Sequence, residues 1–211
     1  MNATDRSAHW RPASPADIEA IDAIQRIVHA DFPEARAVLL ERLDLCPAGC
    51  FVLEKRGEIC GYVLSHPWRR LSPPPIDTRL EAIPADADIW YLHDLALLPG
   101  TRGSGAGARV AKLLAAEARR DGYGTMALVS VNGSQGFWER QGFGVRMEEA
   151  LGAKLSSYGG EAVYMERTLA GENFARVFSQ AADGRARPRR SRPERVPWRQ
   201  YEMSAAPRRS G

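Results

Sequence analysis

The chain has 211 residues, 44% hydrophobic and 26% charged, with a formal net charge of +3. That length accommodates one α/β domain with a sizeable core and some further sequence, and the composition is that of an ordinary globular protein. No apolar run approaches the ~18 residues that a membrane-crossing helix needs, and the opening MNATDRSAHWRP has no apolar signal region, so a cytoplasmic protein with no membrane partner is expected.

Charge is unevenly distributed. From Gly171 onward there are ten arginines, no lysine and four acids, a balance of +6, while the preceding residues carry −3. The three cysteines, Cys46, Cys50 and Cys60, are read as reduced thiols. A structural metal needs four well-spaced ligands, and no second ligand pair follows Cys46 and Cys50.

In chain order, His9 to Ala13 reads as a first strand. Ser14-Pro15 supplies a helix cap and a proline at the first helical position, and Ile18, Ile21, Ile24 and Val28 carry a helix to about His29. Pro33 is expected to open a second helix, with Val38, Leu39 and Leu43 as its apolar face and Pro47 and Gly49 as its stop. CFVLEK and ICGYVLSH, joined at Arg56-Gly57-Glu58, read as a hairpin. Pro67 to Asp88 reads as a long loop, and such loops often carry function. Ile89 to Leu98 is a continuous apolar strand, expected in the sheet interior. A helix bearing Val110, Leu113, Leu114 and Ala118 on one stripe runs to Asp121-Gly122. Met126 to Val131 is a strand, Ser134 to Arg140 a short helix, and Phe143 to Met147 and Ala162 to Thr168 the last strands. The expected organisation is a domain over residues 1–170 and an arginine- and proline-rich extension over 171–211, read as a mobile appendage.

The most informative stretch is PGTRGSGAG, Pro99 to Gly107, with four glycines in nine residues between a strand and a helix. The free N–H groups and positive dipole end of a helix start favour an anion, and glycine lets the backbone approach a phosphate closely. Arg102 adds a charged donor. A P-loop requires Gly-Lys-Ser/Thr, whereas Gly105 and Gly107 are followed by Ala108 and Arg109. A dinucleotide site requires an acid at the end of the next strand, where Asn132 stands instead. The blander alternative is a flexible turn with no ligand.

Pro99, Arg102, Gly103, Gly105 and Gly107 form P-x-x-R-G-x-G-x-G, which resembles the acyl-CoA signature of the GCN5-related N-acetyltransferases. VNGSQGFWERQGF, Val131 to Phe143, is similar to the family's later block, in the same order and at about the same separation. The resemblance covers roughly residues 9–170. It implies an α/β fold of the α+β type: a mixed, mostly antiparallel sheet of six or seven strands with about four helices, splayed where the cofactor binds. It implies that Arg102, Gly103, Ser104, Gly105, Ala106 and Gly107 cradle the pyrophosphate of acetyl-CoA. Leu95 and Leu97 would pair through their backbones with the pantetheine arm, an extended amide chain suited to a strand edge. Asn132 would hydrogen-bond that arm, and Phe137 and Trp138 would line its thiol end.

Acyl transfer to an amine needs a base, a donor for the carbonyl oxygen and a departing thiolate. His93 has the residue type suited to proton transfer near neutrality, and YLHDLAL is similar to the strand of arylalkylamine N-acetyltransferases in which a histidine assists deprotonation. The alternative for His93 is a histidine held by a backbone carbonyl. Period-2 alternation places Tyr91, His93 and Leu95 on one face and Asp94 on the other; Tyr91 could add a hydroxyl and Asp94 could orient a neighbour. Trp138 departs from the family's usual tyrosine, and an indole N–H cannot protonate a thiolate. Tyr158 and Tyr164 are other phenols that could approach the site.

The expected reaction is direct transfer of an acetyl group from acetyl-CoA to a primary amine, with a small molecule favoured as acceptor. Alternatives are an acyl-CoA-binding regulator and a protein N-terminal or lysine acetyltransferase. His66, Trp68 and Trp90 are candidates for an aromatic wall, with core packing as the competing role, and the Pro67–Asp88 loop is the natural specificity element. The arginine tail has few aromatics, so nucleic acid is not an expected partner. A homodimer is an assembly that the resemblance allows.

Overall fold

The computed structural model describes residues 8–169. The arginine-rich extension expected from Gly171 onward lies outside the described residues.

Seven strands form one sheet in the order β1-β2-β3-β4-β5-β7-β6. They are β1 (His9–Pro12), β2 (Phe51–Lys55), β3 (Glu58–Trp68), β4 (Ile89–Leu97), β5 (Thr125–Ser130), β6 (Gly144–Val145) and β7 (Val163–Thr168). All neighbours are antiparallel except β4 and β5. The helices are α1 (Ile18–Val28), α2 (Arg36–Leu45), α3 (Ala106–Arg120), α4 (Gln135–Arg140) and α5 (Gly152–Leu155). The parallel β4–β5 pair is joined through α3, as a parallel connection requires.

Both sheet faces are covered. Ile21 and Ile24 of α1 and Leu39 and Leu43 of α2 pack on Val52, Tyr62, Leu64 and Ala96. On the other face Val110, Ala111, Leu114 and Ala118 of α3 meet Trp90, Leu92, Met126, Leu128 and Met165. The alanines of α3 let its axis approach the sheet closely, while Trp138 and Phe143 fill the space beyond. Arg11 ties β1 to the start of α1, its guanidinium 2.7 Å from Asp17, whose carboxylate also accepts the Ser14 N–H at 2.8 Å.

Several local boundaries differ from the sequence expectation. α2 begins at Arg36 rather than Pro33: Ala35 has extended backbone, and the N–H groups of Glu34 and Ala35 are donated to the side chains of Gln25 and Asp77. The hairpin strand β3 continues to Trp68, so the long loop starts at Arg69. The strand expected over Phe143 to Met147 is reduced to Gly144 and Val145. Residues 149–158 form a succession of helical turns that sequence periodicity does not announce. No helix among the described residues is long and apolar enough to cross a membrane.

Candidate active site

β4 and β5 separate early. They pair only through Trp90–Met126, Tyr91–Ala127 and Leu92–Leu128. β4 nevertheless continues to Leu97 and β5 to Ser130. Beyond Leu92 one edge of β4 therefore faces a gap. Leu98 donates its N–H to Cys60 O at 3.0 Å, on the β3 side. Antiparallel alternation turns the backbone groups of Leu97 and Leu95 the other way, into the gap.

The glycine stretch lies at the mouth of this gap. Gly105 caps α3 with φ +77°, and Gly103 has φ +76°. Both conformations are left-handed and cheap only for glycine. The Ser104 hydroxyl accepts the Ala106 N–H at 3.4 Å, and Arg109 braces Ser104 O at 2.9 Å. Arg102 folds back so that its Nε donates to Leu97 O at 3.3 Å, leaving the guanidinium exposed. Gly107 serves a different purpose: a Cβ there would lie 2.9 Å from Phe137 Cζ. Phe137 thus rests on the start of α3. Across the gap Asn132 turns the chain after β5 with φ +53°, followed by Gly133 at +68°. A helix start without acids, two left-handed glycines, arginines and an open strand edge together suit an extended ligand with an anionic end.

The central residue of the gap is His93. β3 and β4 keep a regular register up to Leu64–Asp94, and then Ser65 pairs with Leu92, so His93 is the extra residue of a β-bulge. A bulge re-aims side chains and disrupts alternation. Leu92 and Leu95 consequently share the α3 face, while His93 and Asp94 both reach residues of the α1–α2 segment. Of the expected grouping, Tyr91 and His93 stay together, with ring centroids 6.3 Å apart, while Leu95 turns to the α3 face and Asp94, expected opposite, joins His93. Trp90 also faces α3, where its indole donates to Ser65 Oγ at 2.9 Å, so it does not join His66 and Trp68 in a wall.

His93 Nε2 lies 2.8 Å from Oε2 of Glu34, and both side chains are more than nine-tenths buried. Burial alone would push the Glu34 carboxyl up. The adjacent imidazole, the N–H of Asp77 and the Arg42 guanidinium outweigh it and bring the carboxyl down to about 2. Glu34 is itself fixed from both sides. Its N–H and C=O meet the carboxamide of Gln25 at 2.9 and 2.7 Å, and its Oε1 accepts the Asp77 N–H at 2.9 Å. Beside this pair, Asp94 takes the hydroxyl of Tyr62 and lies 2.9 Å from His29 Nε2. Burial pushes His29 down, but Asp94 raises it above its ordinary value.

The long loop packs against these residues through hydrogen bonds. Tyr91 OH lies 3.3 Å from Tyr158 OH, which donates to Pro74 O. Burial raises both phenols, Tyr158 to about 12, so both remain protonated near neutrality. Arg42 is fully buried, paired with Glu41 at 2.7 Å and donating to Thr78 O at 2.7 Å. Arg70 makes a two-pronged contact with Glu166 at 2.7 and 2.6 Å. Tyr164 is tied to this loop, accepting the Leu71 N–H at 3.1 Å.

Phe137 stands at the α3 side of the gap, while Trp138 is buried between Phe137 and Phe143, with ring centroids 4.8 and 5.5 Å away. Sequence reading missed Glu34, His29 and Tyr62. A glutamate after proline reads as a first-turn helix residue, and nothing in its local sequence links it to a strand far along the chain. Cys46 and Cys50 are buried thiols, and burial raises Cys46 to about 12.

The seven-stranded mixed sheet, opened between its parallel strands β4 and β5, and the glycine-capped α3 that joins them define the fold class. The chain matches the acetyltransferase (GNAT) family over residues 19–143, and it belongs to that family. Among solved structures it is similar to Ard1 from Thermoplasma volcanium, with TM-score 0.60 and 16% identity over 78% of this chain and 99% of that one. It is similar to N-acetylglutamate synthase from Neisseria gonorrhoeae, complexed with coenzyme A and N-acetyl-glutamate, with TM-score 0.60 and 20% identity over 80% of this chain and 37% of that one. It is also similar to the ribosomal-protein-S18-alanine N-acetyltransferase of Escherichia coli, with TM-score 0.56 and 17% identity over 79% and 98% of the two chains. No curated protein matches the chain at a significant level of sequence similarity.

Proposed function

We propose that the protein is a cytoplasmic N-acetyltransferase that moves the acetyl group of acetyl-CoA onto a primary amine of a small molecule, by direct attack in a ternary complex. The observation that carries this reading is the buried His93–Glu34 pair at the first residue of β4 beyond its last rung with β5. A thioester arm lying along the free edge of β4 would bring its carbonyl beside that residue.

In this reading the first turn of α3, Arg102 and the Gly103–Gly107 backbone hold the pyrophosphate. The backbone groups of Leu95 and Leu97 hold the pantetheine amides, with Asn132 and Phe137 opposite. His93 takes a proton from the amine, and the Glu34 carboxylate stabilises the imidazolium that results. Tyr91 holds the loop closed through Tyr158. Asp94 works through His29 and Tyr62, fixing the end of α1 against β4. Trp138 supports Phe137 from the core, and the thiolate leaves without a phenol at that position, which its modest basicity permits.

A CoA-release assay over a panel of primary amines tests the proposal. Acetylation should fall by about 10²- to 10⁴-fold in His93→Ala, the range for a lost general base, with acetyl-CoA binding retained. If acetyl-CoA binds and no amine releases CoA, the chain is an acyl-CoA-binding protein without transferase activity and the proposal fails.

A further inference from the structure

His66 of β3 is fully buried, and its ring lies beside those of Tyr91 and His93, with centroids 5.7 and 5.8 Å away. Its Nδ1 is 3.0 Å from Pro67 O. A carbonyl only accepts, so the proton of the neutral ring sits on Nδ1 and Nε2 carries a lone pair. The same logic applies to His93. The Glu34 carboxylate only accepts, so when the His93 ring is neutral its proton sits on Nε2 and the lone pair on Nδ1. Among the described residues neither His66 Nε2 nor His93 Nδ1 has a hydrogen-bond partner, although both atoms are buried.

Buried acceptors in native proteins are almost always satisfied. Here two bare nitrogens sit on neighbouring rings, and in each ring the other nitrogen has its own partner. The neighbouring Tyr91 hydroxyl is engaged with Tyr158, whose own proton goes to Pro74 O. The site is therefore short of donors rather than acceptors. Burial and the neighbouring His93 push His66 well down, so it stays an acceptor rather than becoming a second cation.

We propose that His66 Nε2 and His93 Nδ1 together seat the reacting amine, whose N–H groups supply the two missing donors. This rests on the transferase reading above and narrows its acceptor to an unhindered primary amine. A primary ammonium has three N–H groups, enough to meet both nitrogens. One proton passes to His93 Nδ1, giving an imidazolium against the Glu34 carboxylate, while His66 keeps hold of a second N–H. The freed nitrogen lone pair attacks the thioester carbonyl carbon, and the carbonyl π pair moves to oxygen. Collapse breaks the C–S bond, and sulfur leaves with its electron pair. The nitrogen's surplus proton ends on sulfur, and His93 returns its proton to solvent. The products are the acetamide, CoA as thiol and one proton.

The test joins nuclear magnetic resonance to kinetics. Long-range ¹H–¹⁵N spectra of the wild-type protein should show the Nδ1–H tautomer for His66 and the Nε2–H tautomer for His93. Ethylamine hydrochloride should move the resonances of both bare nitrogens, whereas tetramethylammonium chloride, which has no N–H, should move neither. His66→Phe should raise KM for the amine by about tenfold, the value of one neutral hydrogen bond, with KM for acetyl-CoA unchanged. His66→Gln, which returns an acceptor near the lost Nε2, should recover most of that loss. Opposite tautomers, an equal response to tetramethylammonium, or an unchanged amine KM in a folded His66→Phe protein would overturn the seat. Resonances that move with ethylamine in a protein that acetylates nothing would support the seat and remove the transferase reading. Acetylation with unmoved resonances would do the reverse.

Discussion

His93 Nε2 on β4 lies 2.8 Å from Oε2 of Glu34, a residue 59 positions earlier in the chain. The pair joins the strand that borders the gap to the segment between α1 and α2, and the Asp77 N–H joins both to the long loop. Three separate pieces of chain thus meet at one carboxylate. Glu34→Gln preserves shape and hydrogen-bonding capacity but removes the charge that would stabilise a protonated His93. The turnover rate should fall by about 10²-fold, the lower end for impaired acid–base catalysis, with acetyl-CoA affinity unchanged by titration calorimetry. An equal loss of acetyl-CoA affinity would show that Glu34 shapes the cofactor gap instead.

The same carboxylate should govern acid stability. Its folded value is lowered from 4.5 to about 2, chiefly because His93 overcomes the effect of burial. A depressed carboxyl contributes stability that is fully present above its unfolded value and is lost as pH falls through its folded value. Wild-type urea midpoints should therefore decline across the window from 4.5 down to about 2 more steeply than those of Glu34→Gln. Parallel curves for the two proteins would refute the linkage.

The neighbouring pair runs in the opposite sense. Burial lowers His29, but the carboxylate of Asp94 raises it on balance. A raised histidine contributes stability that is present below its unfolded value, near 6.5, and is lost as pH rises through the folded value. Asp94→Asn should leave burial as the dominant influence and drop the His29 titration below its ordinary position. Proton resonance titration of the His29 ring measures this directly, and an unchanged midpoint in the variant would disprove the pairing.

Much of this architecture is legible in the sequence because it is local. Ser14-Pro15, the hydrophobic stripe of α3 and the Gly103–Gly107 run each act within a few residues of themselves, through capping, periodicity and backbone freedom. His93 is legible as a residue type at the right place on a strand. What surrounds it is not, because one inserted residue changes everything downstream: the bulge opposite Leu64 and Ser65 replaces strict alternation and brings Asp94 round beside His93. Glu34, His29 and Tyr62 are chosen by tertiary contact, and a partner far along the chain leaves no periodic trace. The helical turns over 149–158 are short and carry little amphipathic pattern, and Tyr158 is placed by its two hydroxyl contacts.

Gly105 and Gly107 should respond differently to the same substitution. Gly105 holds the left-handed conformation at the cap of α3, and an alanine Cβ there would approach Arg109 at 3.4 Å. Gly105→Ala should lose about 1–2 kcal/mol, the cost of left-handed backbone for an L-residue, and should weaken acetyl-CoA binding by re-aiming the first N–H groups of the helix. Gly107 has ordinary helical backbone, where alanine is intrinsically favourable. Its obstacle is steric: the new Cβ would stand 2.9 Å from Phe137 Cζ and 3.3 Å from Phe137 Cε2. That ring cannot retreat freely, because Trp138 packs edge-on against it at 4.8 Å between centroids. Gly107→Ala should therefore cost about 1–3 kcal/mol by overpacking, and Phe137→Leu in the same chain should relieve most of it. Phe137→Leu should give no relief to Gly105→Ala, whose strain lies in the backbone. Thermal melts of the single and double variants form two mutant cycles, with a large coupling expected for Gly107–Phe137 and none for Gly105–Phe137. Equal couplings in the two cycles would show that both glycines are retained for the same reason.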